Sequence, residues 1–172
     1  MSSLRETLID ELRDVFDAEK QLLKALPKLA KAAENEDLKA AFEQHTEETE
    51  AQIEQLKEVF EFFGETPRGK KCKGMEGLIE EGSEMIEEEA GDAALICAAQ
   101  KAEHYEIATY GSLSAWAKLL GEEQAVEVFE RILEEEKATD QKLTDLAESV
   151  VNAEEGEEEE SSAAKRGKTA KK

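Results

Sequence analysis

The chain has 172 residues, of which 40% are hydrophobic and 38% are charged, with only two prolines and ten glycines. This composition is typical of amphipathic helices and predicts an all-α protein with one domain over residues 1–151 and a tail over residues 152–172. The formal net charge of −21 disfavours binding to nucleic acid or anionic lipid. It favours interaction with cations, a halophilic source, or both.

Two long helices come first. Apolar residues at spacings of three, four or seven predict a helix from about Ser3 to Ala33, in which Pro27 is expected to cause a kink. A second helix is predicted from Asp37 to Gly64, since glycine is a common C-terminal stop. The link between them is only a few residues long, so these two helices are expected to be antiparallel neighbours.

A long connection over residues 65–91 follows, and its apolar positions predict one short helix within it. A third long helix is predicted over residues 92–120 and a fourth over residues 122–151, with Gly121 between them. Two helical hairpins joined by one long crossover form a ferritin-like four-helix bundle. A simple up-and-down bundle with an ornamented loop is the alternative topology.

The ends of the chain and its cysteines suggest no further chemistry. The charged tail is expected to be disordered, because its composition cannot support a packed core. The N-terminus has no apolar signal segment and the chain has no apolar run of about 18 residues, which predicts a cytoplasmic protein without a membrane span. Cys72 and Cys97 lack the spacing of a metal site or a disulfide framework.

Each of the four long helices carries ionisable residues where its apolar seam should continue. Listed in chain order, these residues are Glu19, His45, Glu48, Glu103, Glu106, Glu136 and Asp140. Thr49 and Gln52 lie near the same seam of the second helix. Any one of these positions could be a solvated helix flank, since the chain has 43 acids. Because all of them lie near helix midpoints, an antiparallel bundle would instead bring them to one depth.

Several carboxylates in one core could not all ionise without cations beside them. Iron and manganese accept carboxylate oxygens together with imidazole, whereas zinc favours fewer oxygens, so two Fe ions per chain are predicted, with Mn as the alternative. The predicted ligands are Glu19, His45, Glu48, Glu106 and Glu136, with Glu103 and Asp140 as candidates for the remaining positions. Glu48 and Glu136 are the predicted bridging carboxylates.

Other residues near this seam are expected to have supporting roles. His104 lies about 160° around the helix from Glu106, so we expect it to pack or to contact a ligand rather than to bind metal. Tyr110 is one turn from Glu106 on the same face. It is expected to be a core tyrosine, with quenching of oxidising equivalents as the alternative.

Three segments of the chain resemble the YciE/YciF family of ferritin-like proteins, and the similarity extends over almost everything before the tail. The segments are residues 14–22, 103–108 and 133–136. The resemblance implies a di-metal bundle, usually dimeric, described as a ferroxidase or stress-response protein. Ferritin-like di-iron proteins carry Glu-x-x-His pairs on two helices. This chain instead has the reversed order His45-x-x-Glu48 and has Thr139 where the second imidazole would fall.

Two functions from different classes therefore compete. The first is a di-iron oxidoreductase of stress response, either a ferroxidase or a peroxide-detoxifying enzyme, that uses O2 or peroxide and forms a homodimer. The second is a non-catalytic helical stress protein that sequesters metal or has a structural role. A third function, nucleic acid binding through the basic loop at residues 70–73 and the basic C-terminus, is disfavoured by the net charge.

Overall fold

The computed structural model describes residues 3–148, which form five helices. These are α1 (Leu4–Ala32), α2 (Glu36–Phe62), α3 (Lys73–Glu87), α4 (Asp92–Leu120) and α5 (Glu123–Leu146). The prediction of an all-α fold with four long helices and a short helix in the crossover is confirmed. The predicted disordered tail and the end of the predicted fourth long helix lie outside the described residues. The domain boundary at residue 151 stays a prediction.

Local sequence signals explain where the helices begin and end. Ser3 and Glu6 form a capping box at the start of α1, and the Asn35 side chain accepts hydrogen bonds from the first turn of α2. Gly121 ends α4 in the left-handed conformation, with φ of 75°, which favours glycine. Helix α1 continues through Pro27 to Ala32, so the proline does not end the helix.

The helices pack as two antiparallel hairpins, α1 with α2 and α4 with α5. Across the bundle α1 contacts α4 and α2 contacts α5, while α3 packs on α1 and α4. The long crossover that carries α3 thus joins the two hairpins, as predicted for a ferritin-like bundle. None of the helices within residues 3–148 is long and apolar enough to cross a membrane.

The apolar core is divided into two clusters along the bundle axis. The aromatic cluster includes Phe16, Phe60 and Phe129, whereas the alanine-rich cluster includes Leu22, Phe42 and several alanines and lies beneath α3. On every long helix at least one buried polar residue lies between the apolar residues of these two clusters. The fold therefore places one polar layer across the middle of the bundle.

Asp92 connects the two hairpins at one end of the bundle. It is the first residue of α4 and is buried, and its carboxylate accepts hydrogen bonds from the backbone N–H groups of Glu34 and Asn35 at 2.9 and 2.6 Å. These two donors lie in the link between α1 and α2. The start of α4, where the helix dipole favours negative charge, is therefore tied to the first hairpin.

Replacement of this carboxylate should destabilise the fold. Asp92→Ala leaves both N–H groups without their acceptor, so we expect the metal-free protein to lose roughly 2–4 kcal/mol of unfolding free energy in urea titrations. Asp37→Ala is the matched control, since Asp37 is exposed in the first turn of α2 and should matter by a few tenths of a kcal/mol. Equal losses in the two variants would contradict this role for Asp92.

Candidate metal centre

The polar layer between the two apolar clusters is built by all four long helices. Its five ionisable members are each at most 2% exposed, and they are Glu19, His45, Glu103, Glu106 and Glu136. Helical spacing explains their common depth, because each follows an apolar residue of one cluster and precedes an apolar residue of the other on its own helix. The structure thus brings four of the predicted ligands and the candidate Glu103 to one depth, while their role as metal ligands stays a prediction.

Four of these residues form a compact group. His45, Glu103, Glu106 and Glu136 each offer a ligand atom, and these atoms all lie within 4.8 Å of one another. The His45 Nε2 atom is 3.0 Å from Glu103 Oε1 and 3.9 Å from Glu136 Oε2. Metal–ligand bonds are about 2.0–2.2 Å long, so two ligand atoms bound to the same ion lie roughly 3–4 Å from each other. The distances from His45 Nε2 to the two carboxylate oxygens are in this range. The group can therefore surround a cation with small adjustments.

Glu19 completes the layer from α1. The Tyr110 hydroxyl donates a hydrogen bond to Glu19 Oε1, which holds this carboxylate in the interior. Tyr110 is itself fully buried. The expectation that Tyr110 shares the face of Glu106 is therefore met, and the structure adds a partner that the sequence did not indicate. Tyr110 orients one oxygen of Glu19 and leaves the other available.

Gln52 orients a second carboxylate. Its Nε2 atom donates hydrogen bonds to Glu136 Oε1 at 2.6 Å and to Glu135 Oε2 at 3.1 Å. The sequence placed Gln52 near the seam without a role. Its position two turns after His45 on the same helix face was the only sequence signal that Gln52 points toward the layer. Glu136, which accepts its hydrogen bond, lies 84 residues away on α5. Sequence spacing within one helix does not reveal such a contact.

Glu48 lies at the edge of the group. Its side chain is 31% exposed, and its Oε2 atom is 3.6 Å from His45 Nδ1, while its Oε1 atom accepts a hydrogen bond from Gln44. In this position Glu48 can orient the imidazole through Nδ1 and leave Nε2 to face the other carboxylates. Its assignment as a bridging ligand stays a prediction.

Asp140 and His104 lie on the surface side of the α4–α5 contact. The Asp140 carboxylate accepts a hydrogen bond from Gln100 Nε2 at 3.0 Å and is 3.4 Å from His104 Nε2. The His104 side chain is 67% exposed. The structure does not bring Asp140 into the group of four, and its role as a ligand stays a prediction. Its partners instead indicate a contact that links α4 to α5.

Unpaired oxygen atoms in the layer could serve as ligands to a cation. Among the described residues, both carboxylate oxygens of Glu106 and one each of Glu19 and Glu103 are buried without a hydrogen-bond partner. Such groups are costly to bury alone, whereas coordination to a cation satisfies them. Carboxylate oxygens with one imidazole match the preferences of iron and manganese better than those of zinc.

Protons and cations compete for this layer. Burial raises the pKa of Glu19 to about 7 and raises the pKa values of Glu106 and Glu136 well above their usual range, with further contributions from the neighbouring carboxylates. Burial lowers the pKa of His45, but Glu103 and the other acids more than offset this and raise it well above its usual value. The metal-free layer therefore holds protons near neutral pH.

Residues 3–155 match the model of a family described as a domain of unknown function, DUF892. The chain belongs to the DUF892 family. Its sequence is 51% identical over 157 residues to the protein YciF of Escherichia coli K12, with 88% of this chain and 95% of that protein aligned. The resemblance to the YciE/YciF family is confirmed.

Solved structures show the same fold as this DUF892 protein. The crystal structure of the E. coli stress protein YciF superposes with a TM-score of 0.82 at 51% identity and covers 86% of this chain and 96% of its own. YcfI of Rhodopseudomonas palustris, for which a structural role has been suggested, gives 0.81 at 43% identity, covering 83% and 94%. A protein of Xanthomonas campestris gives 0.71 at 25% identity, covering 91% and 99%.

Replacement of Glu106 separates metal binding from folding in this DUF892 protein. Glu106→Leu removes a buried carboxyl group whose two oxygens are unpaired, so the metal-free variant should gain roughly 1–3 kcal/mol of unfolding free energy. The same variant should bind less iron, because it removes a residue of the compact group. Urea titration and metal analysis measure the two effects.

The control for this change is Glu127→Leu, which alters an exposed residue of α5. Its stability should remain within about 0.5 kcal/mol of the parent, with full metal content. A metal-free Glu106→Leu protein that is less stable than the parent, or one with unchanged metal content, would count against the assignment of Glu106.

The metal-free protein should become less stable as pH rises from 5 to 8. Glu19, Glu106 and Glu136 have higher pKa values folded than unfolded, so above about pH 4.5 the folded state holds more protons. For each extra proton held by the folded state, the unfolding free energy falls by about 1.4 kcal/mol for every unit that the pH rises. The fall ends once the pH passes the pKa of the folded state, which is about 7 for Glu19. The raised pKa of His45 acts in the same direction.

The surface charge also disfavours folding at high pH, so Glu106→Leu serves as the reference. It keeps that surface but lacks one buried acid, and its stability should fall less steeply with pH. Added metal should stabilise the parent more at pH 8 than at pH 5, since ligands must lose their protons to bind. Parallel pH profiles for parent and variant would show that the buried acids do not cause the slope.

Proposed function

We propose that this DUF892-family protein binds two divalent metal ions, iron with manganese as the alternative, in its buried polar layer and oxidises Fe(II) with dioxygen or peroxide. The observation that carries the proposal is the group of buried carboxylates and one histidine, contributed by every long helix, with unpaired oxygens in the interior. Burial of such a set of ligand atoms costs free energy when no cation is bound. Its carboxylate oxygens and imidazole are ligands that iron accepts.

The side chains have distinct tasks in this proposal. Glu103, Glu106 and Glu136 balance the positive charge, and His45 offers its Nε2 atom beside Glu103 and Glu136. Tyr110 and Gln52 fix the orientation of Glu19 and Glu136. The two apolar clusters exclude water on both sides of the layer, which strengthens the electrostatic interactions inside it.

Each Fe(II) ion bound in this layer would give up one electron to become Fe(III), so that two ions and two protons reduce one dioxygen molecule to hydrogen peroxide, or one peroxide molecule to two water molecules. The protein would contribute position and charge balance. Glu106 and Glu136, whose burial raises their pKa values, would give up protons as cations bind. Those protons would leave the layer rather than remain beside the bound cations.

The E. coli relative is described as a stress protein, and we extend a role in stress response to this chain. A cytoplasmic location and a homodimer are part of the same proposal. The suggested structural role of YcfI favours a second candidate, in which the chain holds metal or stabilises partners without turnover. The presence of one imidazole rather than two in the group also favours this candidate.

Anaerobic titration with Fe(II), followed by exposure to oxidant, distinguishes the two candidates. We expect about two ions per chain and oxidation faster than in protein-free buffer, as a two-metal site implies. Glu136→Gln should lower both the stoichiometry and the rate, while Glu127→Gln, an exposed change on the same helix, should alter neither. Dialysis equilibrium and absorbance of Fe(III) provide the measurements.

The possible outcomes separate cleanly. Two bound ions without excess oxidation would establish metal sequestration and remove the oxidoreductase proposal. No bound ions in the parent would remove the oxidoreductase proposal and metal sequestration, and would leave only the structural role of the second candidate. Metal content together with the mass of the native protein in solution would test the homodimer in the same preparation.

A further inference from the structure

A narrow pocket beneath α3 leads toward the polar layer. It lies between α1, α3 and α4, and its lining includes Leu22, Leu29, Ile79, Gly82, Ala99 and Glu103. We call it the α3 pocket. Lys28 is exposed at its outer end, whereas Glu103 is 1% exposed and belongs to the compact group of ligand atoms. The lining of the pocket thus includes one exposed residue and one member of the candidate metal centre.

The size of the α3 pocket limits its occupant. Its cavity volume is about 30 Å³. A single water molecule needs at least about 10–15 Å³ on the same measure, so this space suits a molecule of about two heavy atoms. Both dioxygen and hydrogen peroxide have this size.

The lining distinguishes between these two molecules. Apart from Lys28, Ser83 and Glu103, the side chains around the α3 pocket are aliphatic or absent, as at Gly82. Peroxide would lose its hydrogen bonds to water on entry and regain few of them along such walls, whereas dioxygen has none to lose. An apolar route therefore favours dioxygen over peroxide and excludes hydrated cations.

The pocket exists because small residues face one another across it. Gly82 of α3 is buried, and a Cβ atom added there would lie 3.5 Å from the Cβ atom of Ala98 on α4, an ordinary contact. Alanine would fit at this position and would favour the helix more than glycine does. Packing therefore does not require glycine at position 82, and its absent side chain leaves space in the pocket.

A different side of the polar layer suits cations. Glu48 is partly exposed and lies 3.6 Å from His45 Nδ1, on the side of the group formed by α2 and α5. A carboxylate between solvent and the buried group attracts positive ions, whereas the α3 pocket presents aliphatic side chains on the α1–α4 side. The two sides of the layer therefore have opposite chemistry.

We propose that the α3 pocket binds dioxygen and delivers it to the metal centre beside Glu103. The proposal rests on the proposed function, because it supplies the oxidant for that site. Glu103 lines the pocket and also belongs to the compact group of ligand atoms, so it marks the point that the pocket and the candidate centre share. Bound dioxygen would reach that point without first crossing the acidic side of the layer.

Binding of dioxygen can be tested on the metal-free protein. Dissolved O2 is paramagnetic and enhances the relaxation of methyl groups that it contacts. In NMR spectra under oxygen pressure, the buried methyl groups of Leu22 and Leu26 in the α3 pocket should relax faster than those of Leu12 and Leu56 in the aromatic cluster. Equal enhancement of the two pairs would overturn the proposal, whatever the protein does with iron.

Variants then test delivery. Ala99→Met fills the pocket with a flexible apolar side chain, and Gly82→Ala narrows it without a clash. Both should weaken the enhancement at Leu22 and raise the apparent KM for dioxygen several-fold in iron oxidation, with the anaerobic Fe(II) stoichiometry unchanged. Gly77→Ala is the control on α3, since a Cβ atom there meets nothing within 4 Å.

The outcomes distinguish this proposal from the proposed function. Failure of the parent to bind or oxidise iron removes the proposed function, while the NMR experiment still decides whether the pocket binds dioxygen. An unchanged KM for dioxygen in Gly82→Ala and Ala99→Met, with normal iron stoichiometry, would overturn delivery. A KM shift for peroxide but not for dioxygen would overturn the choice of oxidant. If Ala99→Met does not fold, the relaxation enhancement at Leu22 and the KM for dioxygen are measured on Gly82→Ala alone.

Discussion

The burial of five ionisable side chains at one depth is the constraint on which the rest of this structure depends. Each charge removed from water costs several kcal/mol unless partners or cations compensate it. A few hydrogen bonds, such as those from Tyr110 and Gln52, compensate only part of this cost. The two apolar clusters on either side must therefore supply the stability that holds the layer closed.

The carboxylates of the layer differ in the hydrogen bonds that they accept. Glu19 and Glu136 are each held by a neutral donor from another helix, whereas neither oxygen of Glu106 has a partner among the described residues. A carboxylate fixed by a hydrogen bond presents one oxygen in a defined direction. Glu106 lacks such a donor, so its two buried oxygens depend on a proton or a cation for compensation.

The sequence predicted the helices well because their signals are local. Capping residues, glycine stops and apolar spacing lie within a few positions of the features that they determine, and the predicted bounds of α4 match those observed. The convergence of Glu19, His45, Glu106 and Glu136 also follows from spacing, since each interrupts a seam near a helix midpoint.

The sequence could not predict that Glu103 belongs to the compact group while Glu48 lies at its edge. Successive residues are 100° apart on a helix, so a small rotation about the helix axis decides whether Glu48 or Thr49 faces inward. Contacts with other helices set that rotation, and here Thr49 is buried while Glu48 is partly exposed. The small residues around Glu103 allow it to reach His45, a contact between helices that the periodicity of α4 does not contain.

The two halves of the core differ in a way that bears on access to the layer. Phe16, Phe60 and Phe129 lie on long helices and fill one half of the core, whereas the other half uses alanines on α4 and is covered by α3. Large rings close one side of the layer, while small side chains beneath an added helix leave a cavity that ends at Glu103. The crossover thus does more than connect two hairpins, because α3 forms the outer wall of the apolar approach to the buried acids.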